Sequence, residues 1–224
     1  MRRIVPRLAI FGAGGFGREV LALALDLCRT QAETPRPACF LVEPGFVGAG
    51  GEAPLPVFDD FEILRRDEDM LLILAVGIPR IRERVAKTFE WLPEDRFATL
   101  VHPTAYVGDR SSLGAGTIVC AHASLTTDVS TGCHAQVHAG ARIGHDSVIG
   151  SDASVFPGAV IGGGVRIGDC VEIGSGSVVL PRLSIESRSI VGAGAVVIRS
   201  LPAGVTAVGN PARVLPPRPS DGAP

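Results

Sequence analysis

The sequence of 224 residues predicts an α/β Rossmann-like domain over residues 1–100, followed by an all-β parallel β-helix over residues 101–200. Three observations support this prediction. The second half carries an unbroken six-residue repeat, a glycine-rich turn follows a predicted strand near the N-terminus, and the composition changes near residue 100. Glycine and small residues become frequent there, and long charged side chains become rare. Residues 201–224 are predicted to form a C-terminal cap and a disordered tail, because the last residues are rich in proline.

The six-residue repeat runs from Val107 to Val197, where fifteen of sixteen positions hold a branched aliphatic residue and the exception is Thr131. A helix repeats at about 3.6 residues and an ordinary strand at about two, so neither explains this period. A hexapeptide repeat is typical of a parallel β-helix, in which three hexads form one triangular coil. We expect the aliphatic side chain to point into the prism. We also expect the glycine that often follows it to permit a tight corner.

The glycine-rich turn spans residues 12–17 and lies between a predicted strand, Arg7–Phe11, and a helical run that includes Leu21–Cys28. A G-x-G-x-x-G motif in this context indicates a nucleotide site, since glycine lets the backbone approach a diphosphate and the helix N-terminus offers free N–H groups. Four further predicted elements complete a βαβαβ unit. They are a strand at Ala38–Val42, a helix at 59–66, a strand at Met70–Val76 and a helix at Arg80–Phe89.

Glu43 follows the second predicted strand, where an acidic residue usually binds ribose hydroxyls. Two alternatives remain open for this domain. Gly12, Gly14 and Gly17 could serve only close packing of the helix, or the ligand could be a nicotinamide dinucleotide. The short length of the domain and the β-helix that follows it weaken the second alternative.

Charge and composition argue against several classes of function. The formal net charge of −2 gives no electrostatic case for nucleic acid or an anionic membrane, and no apolar run is long enough to span a bilayer. Five cysteines without a CxxC pair favour reduced thiols and a cytoplasmic location. No two of the five histidines are 18 residues apart, the expected distance between stacked residues, so no metal site is predicted.

Several stretches together resemble bacterial sugar acetyltransferases of the NeuD/PglD type. They are GAGGFGREV at 12–20, VHPTAYVG at 101–108, the hexads, GHD at 144–146 and VGNPAR at 208–213. The resemblance covers nearly the whole chain. It implies a left-handed β-helix, a homotrimer, and transfer of acetyl from acetyl-CoA to an amino or hydroxyl group of a free or nucleotide-linked sugar.

Acyl transfer to an amine needs a base with a pKa near neutrality, for which histidine is suited. The resemblance places this base at His145, with Asp146 as its carboxylate partner. Adjacent residues of a straight strand face opposite ways, so this pair requires a corner. His138 stands where relatives often carry Asn near the substrate, and we expect it to line the active site beside His145.

The resemblance also assigns ligand contacts. The positions that match nucleotide-sugar contacts are Gly14, Gly15, Phe16, Glu43 and Gly77, and those that match acetyl-CoA contacts, in a groove between two subunits, are Ser154, Ser175 and Ala193. His138, Phe16 and Ser154 depart from the residues that relatives often carry, which suggests a different nucleotide sugar. O-acetylation of a sugar hydroxyl, as in sialic-acid modification, and a nucleotide-sugar-binding scaffold without turnover remain the alternatives.

Overall fold

A computed structural model describes residues 5–47 and 53–216. The predicted disordered tail therefore lies almost entirely outside the described residues. The N-terminal elements are β1 (Arg7–Phe11), α1 (Gly15–Thr30), β2 (Arg36–Leu41), β3 (Val57–Phe58), α2 (Ile63–Arg66), β4 (Met70–Leu74), α3 (Pro79–Thr88) and a 3₁₀ helix (Glu94–Arg96). The four strands form a parallel sheet in the order β3-β2-β1-β4, as expected for a Rossmann-like unit.

One predicted helix is shorter than expected. Helical backbone was predicted over residues 59–66, but α2 begins only at Ile63. The Asp60 carboxylate accepts a hydrogen bond from the Glu62 N–H at 2.9 Å. Such a local contact stabilises a turn at the expense of the helix.

The second half forms a triangular prism of short parallel strands. Its strands are β5 (Leu100–Val101), β6 (Tyr106–Val107), β7 (Ser112–Leu113), β8 (Ile118–Val119), β9 (Ser124–Leu125), β10 (Ser130–Thr131), β11 (Gln136–Val137), β12 (Arg142–Ile143), β13 (Val148–Ile149), β14 (Ser154–Val155), β15 (Val160–Ile161), β16 (Arg166–Ile167), β17 (Glu172–Ile173), β18 (Val178–Val179), β19 (Ser184–Ile185), β20 (Ile190–Val191) and β21 (Val196–Val197). After them β22 (Thr206–Val208) extends one sheet and β23 (Arg213–Val214) pairs with β22 in antiparallel fashion.

The three sheets are the faces of the prism. Face 1 contains β5, β8, β11, β14, β17, β20, β22 and β23; face 2 contains β6, β9, β12, β15, β18 and β21; face 3 contains β7, β10, β13, β16 and β19. Val137 pairs with Val119 and Val155, so one coil takes 18 residues, as the hexads predicted. We name the corners edge 1–2, edge 2–3 and edge 3–1 after the faces that they join.

The inward aliphatic residues form one continuous buried core along the prism, from Val119 to Val197. Thr131, the exception in the repeat, is also buried. Its hydroxyl lies 3.1 Å from the Thr117 hydroxyl and accepts a hydrogen bond from the Gly114 N–H at 3.2 Å. The inward polar group is therefore satisfied within the core.

The glycines that follow the aliphatic residues do not form the corners, contrary to the prediction. Left-handed backbone occurs two residues later in every hexad from Val107 to Val191, and nine of these positions hold residues other than glycine, with φ between 54° and 62°. The glycines instead allow successive coils to stack. A Cβ added to Gly144 would lie 2.6 Å from the backbone nitrogen of Gly163 in the next coil.

The α/β domain packs on face 1. Outward residues of that face, including Ile118 and Ser154, are fully buried, and the Gln136 amide donates to the Leu74 carbonyl at 3.0 Å. Among the residues that the structure describes, none covers face 2 in this way, and its outward residue Val160 is exposed. The α/β domain therefore covers face 1 of the prism and leaves face 2 and edge 2–3 uncovered.

Candidate active site

His145 and Asp146 form a hydrogen-bonded pair on edge 2–3. Asp146 takes the left-handed corner conformation (φ 59°), which turns its carboxylate back so that Oδ2 lies 2.6 Å from His145 Nδ1. An ionised carboxylate can only accept a hydrogen bond, so Nδ1 donates and Nε2 keeps its lone pair. Both side chains are 66% exposed. The pair is therefore arranged to take a proton at Nε2 from a group that approaches this edge.

The ring of His145 lies over Gly163, which sequence reasoning missed. A Cβ on Gly163 would meet Nε2 at 2.5 Å and Cε1 at 2.7 Å. The only sequence signal was the run of three glycines at 162–164. Glycine at this position therefore leaves room for the imidazole in the next coil.

A second charged pair lies one coil before Asp146 and was also missed. Arg110 Nε and Nη2 both donate to the Asp128 carboxylate at 2.6 Å. The hydrogen bonds from Arg110 lower the pKa of Asp128, which also interacts electrostatically with His145. Residues 110, 128 and 146 share a spacing of 18, so this row of charges along edge 2–3 was visible in the sequence.

His138 occupies a different environment on edge 1–2. Its ring is stacked between Phe16 of α1 (4.7 Å between centroids) and Phe156 of the next coil (4.9 Å), and the residue is only 6% exposed. Burial lowers its pKa to about 4, and the charge of Arg82 acts in the same direction. Within the described residues, Nε2 has no hydrogen-bond partner. His138 is therefore neutral near pH 7.

Within one protomer, His138 and His145 lie on separate edges of the prism, so a place for His138 beside His145 stays a prediction that requires a second copy of the chain. His138 directly follows Val137 of β11, and His145 comes after β12. One residue therefore lies where face 2 begins and the other where it ends. The hexad spacing itself places them on separate edges of the same coil.

The carboxyl ends of β1, β2 and β4 surround a cavity of about 330 Å³. Its lining residues are Phe11, Gly12, Ala13, Gly14, Val42, Glu43, Phe46, Val76, Ile81 and Val85. The predicted contacts Gly14 and Glu43 line it, and Gly77 follows the lining residue Val76. Arg84 of α3, which sequence reasoning missed, lies 3.2 Å from the Glu43 carboxylate.

The glycines of the turn divide into two groups. A Cβ on Gly17 would lie 1.8 Å from the Gly12 carbonyl oxygen, and Gly12 itself has φ +105° with Ala75 close by, so these two serve packing. A Cβ on Gly14 or Gly15 would meet nothing within 4 Å. The packing explanation thus accounts for Gly12 and Gly17 but not for Gly14.

The three residues predicted to contact acetyl-CoA lie in two places. Ser175 and Ala193 are exposed and stack on edge 1–2, where the Gly194 N–H donates to the Ser175 carbonyl at 2.9 Å. Ser154 is fully buried beneath the α/β domain, and its hydroxyl donates to the Gly77 carbonyl at 3.2 Å. Its side chain is consequently closed to a ligand within one protomer, and contact of this position with acetyl-CoA stays a prediction.

In residues 5–47 and 53–216, no group of three or more His, Cys, Asp or Glu side chains could hold a metal ion. The helices of this part of the chain are all too short or too polar to cross a membrane.

Residues 146–181 match the family of the bacterial transferase hexapeptide, described as six repeats. UDP-N-acetylbacillosamine N-acetyltransferase from Bacillus subtilis (strain 168) is 34% identical over 119 residues, which make up 52% of this chain and 52% of that protein. This match therefore spans about half the length of the curated relative.

Several solved proteins match nearly the whole chain. The acetyltransferase domain of PglB from Neisseria gonorrhoeae FA1090 is 29% identical, with 94% of this chain and 100% of that chain covered and a TM-score of 0.81. It has also been solved in complex with acetyl coenzyme A. A histidine-to-alanine mutant of GDP-perosamine N-acetyl transferase from Caulobacter crescentus, in complex with CoA and GDP-perosamine, is 27% identical, with 96% and 99% covered and a TM-score of 0.79.

These matches confirm the predicted fold class, an α/β Rossmann-like domain followed by a left-handed parallel β-helix. The chain therefore carries the bacterial transferase hexapeptide within its β-helix and is a homologue of sugar N-acetyltransferases that share this two-part fold.

Proposed function

We propose that this protein transfers the acetyl group of acetyl-CoA to the amino group of a nucleotide-linked sugar. The observation that carries the proposal is the exposed His145–Asp146 pair, with 2.6 Å between Nδ1 and Oδ2. A binding scaffold has no need of a base oriented in this way. The solved matches with acetyl coenzyme A and with GDP-perosamine support the choice of donor and acceptor.

In the proposed reaction, the neutral amine attacks the thioester carbonyl while His145 Nε2 takes the proton that the nitrogen loses. Asp146 keeps Nδ1 as the donor and stabilises the positive charge that forms on the ring. The tetrahedral intermediate then collapses, the carbon–sulfur bond breaks, and the CoA thiolate leaves and takes up the proton that His145 Nε2 holds. The products are an amide and CoA, and the enzyme returns to its starting state.

The proposed site is shared between two copies of the chain in a homotrimer. Edge 2–3 carries His145. Edge 1–2 carries the exposed residues Ser175 and Ala193, and Phe16 of the α/β domain packs against the same edge. Face 2 lies between them and exposes apolar residues such as Val160 and, near edge 2–3, Leu180 and Ile198. Contact of edge 2–3 of one copy with edge 1–2 of the next would cover this surface and join the two half-sites.

The nucleotide is proposed to occupy the cavity of about 330 Å³ at the ends of β1, β2 and β4. Its diphosphate would lie against Gly14 and Gly15, where no side chain blocks the N-terminus of α1. Glu43 would accept hydrogen bonds from ribose hydroxyls, in competition with its ion pair to Arg84. A cytoplasmic location, where acetyl-CoA and nucleotide sugars are made, remains a prediction.

The test is the release of CoA thiol by the purified protein with acetyl-CoA and a panel of UDP-, GDP- and dTDP-linked amino and hydroxy sugars. We expect release with an amino sugar and a product that resists mild alkali, as an amide does. A product that mild alkali cleaves would indicate O-acetylation. Binding of acetyl-CoA and nucleotide sugar without any release would contradict transfer and favour the scaffold.

A further inference from the structure

Arg82 of α3 is fully buried at the contact between the α/β domain and the prism. On the side of the α/β domain its Nη1 donates to the Val76 carbonyl and, at 3.4 Å, to the Gly77 carbonyl. These two residues are the second and third after the end of β4. Arg82 therefore holds the segment that leaves the central sheet at its carboxyl end.

On the side of the prism, the same guanidinium reaches edge 3–1 and face 1. Nη2 donates to the Asp152 carbonyl at 2.6 Å, to the Ala153 carbonyl at 3.2 Å and to the Ser154 hydroxyl at 3.0 Å. The Ser154 hydroxyl in turn donates to the Gly77 carbonyl. A single planar cation thus ties the segment after β4 to three consecutive residues of one coil.

The residues around Arg82 connect this contact to the nucleotide cavity. Val76 lines the cavity, and so do Ile81 and Val85, which lie on either side of Arg82 in α3. One helix and one loop thus contact the cavity and the prism at the same time. A shift at Arg82 would therefore move the wall of the cavity.

The charge of Arg82 is costly to bury and is only partly offset. Burial lowers its pKa to about 10, whereas the Asp152 carboxylate, with Oδ1 3.6 Å from Nε, acts in the opposite direction. Nε and Oδ1 are too far apart for a hydrogen bond, and neither atom has a hydrogen-bond partner among the described residues. Such a group is retained at a cost in stability, which favours a role in orientation over a role in stability alone.

We propose that Arg82 is a positioning residue that holds the Val76–Gly77 wall of the nucleotide cavity in its binding position by anchoring it to the prism. The inference rests on the proposed function for the nature of the ligand. It also gives Ser154 a role in the same anchor, instead of in binding acetyl-CoA.

The test compares Arg82→Lys and Ser154→Ala with Arg188→Gln as the matched control. Arg188 also joins α3 to edge 3–1, through Glu83 at 2.8 and 3.1 Å, but this ion pair is exposed and away from the cavity wall. Lysine keeps the charge and loses the fork of donors. Calorimetry would measure the dissociation constants of UDP, GDP and dTDP, and of CoA, for each protein.

We expect Arg82→Lys to weaken binding of the preferred nucleotide by about tenfold or more. Ser154→Ala should act severalfold in the same direction, with CoA affinity within about twofold in both variants. Arg188→Gln should leave both affinities unchanged. Unchanged nucleotide affinity in Arg82→Lys, an equal loss for nucleotide and CoA, or a loss of CoA affinity alone in Ser154→Ala would overturn the proposal.

Binding is measured without turnover, so the two proposals fail in different ways. A wild-type protein that binds a nucleotide but releases no CoA thiol would contradict acetyl transfer and leave the comparison of variants intact. A wild-type protein that transfers acetyl but binds none of the three nucleotides would overturn the role of Arg82.

Discussion

His138 and His145 follow consecutive strands of the same coil, yet their surroundings differ in every respect that bears on proton transfer. His145 is exposed and has a carboxylate on Nδ1, whereas His138 is buried between two aromatic rings and has a pKa of about 4. A group that stays neutral and closed to solvent is a poor base near pH 7. We therefore assign proton transfer to His145 on edge 2–3. His138 on edge 1–2 contributes only to the shape of its surroundings.

The largest expected effect is that of His145→Ala on turnover. Loss of the base should lower kcat by about 10²- to 10⁴-fold. The free energy of unfolding should change by no more than about 0.5 kcal/mol, because the side chain is exposed. The matched control is His122→Asn, an exposed corner histidine with φ 58°, where asparagine tolerates the backbone. Equal kcat values for the two variants would contradict the assignment.

The pH dependence of stability, in contrast to turnover, should depend on His138 more than on His145. His138 has its pKa lowered from 6.5 to about 4, so the unfolded chain binds its proton more readily. Its contribution is therefore fully present above about pH 6.5 and lost as the pH falls towards 4, with a size of about 3 kcal/mol. Urea unfolding at several pH values should show this loss in the wild type and His145→Ala, and less of it in His138→Phe.

Differences between proteins are the informative quantity in this experiment, because other buried groups titrate in the same range. Burial also lowers the pKa of His134 to about 4 and raises that of Asp152 to about 6. The second shift makes stability fall as the pH rises from about 4 to 6, opposite to the effect of the histidines. Identical pH profiles for the wild type and His138→Phe would contradict the account of His138.

A smaller effect is expected for Asp146→Asn. Asparagine tolerates φ near 60° and can still accept from Nδ1, so the corner and the tautomer persist while the negative charge is lost. We expect kcat to fall by about ten- to a hundredfold with little change in either KM. Steady-state kinetics would measure this, and a kcat equal to that of the wild type would show that the carboxylate has no part in catalysis.

The smallest expected effect is that of His138→Phe on turnover. Phenylalanine preserves the stack with Phe16 and Phe156 and removes only the ring nitrogens, of which Nε2 has no hydrogen-bond partner in the described part of the chain. We expect kcat/KM for the nucleotide sugar to fall by less than about tenfold, the value of one hydrogen bond. A loss as large as that of His145→Ala would show that His138 takes part in proton transfer and would contradict the contrast between the two histidines.

The prism could be predicted because its inward position repeats, so every hexad reports the same environment. The His145–Asp146 corner could also be anticipated, since adjacent side chains meet only where the chain turns. The period does not say which of the six positions has left-handed backbone. Residues such as Arg182 and Asp152 occupy that position, which explains why the corner was assigned to the wrong glycines.

The contacts between the two halves could not be predicted. Arg82 and Ser154 are 72 residues apart and belong to elements with different periods, so no pattern links them. Burial of His138 depends on α1, whose Phe16 covers an edge that is exposed higher in the prism, at Ser175. Docking of one domain on the other therefore determines the burial of His138 and Ser154, which no repeat pattern reports.

The most direct test of the account is complementation between two inactive variants. His145→Ala disables edge 2–3, and Gly14→Asp places a carboxylate where the diphosphate is proposed to bind, with open space for the new Cβ. Co-expression with different tags allows isolation of mixed oligomers. In every mixed trimer, a heterologous interface would bring together an intact half from each chain at about one third of the sites.

We predict that the mixed oligomers regain about this fraction of wild-type CoA release, although each variant alone is nearly inactive. CoA release no greater than the sum of the rates of the two variants alone would contradict a site shared between copies. It would also contradict the assignment of proton transfer and nucleotide binding to different edges.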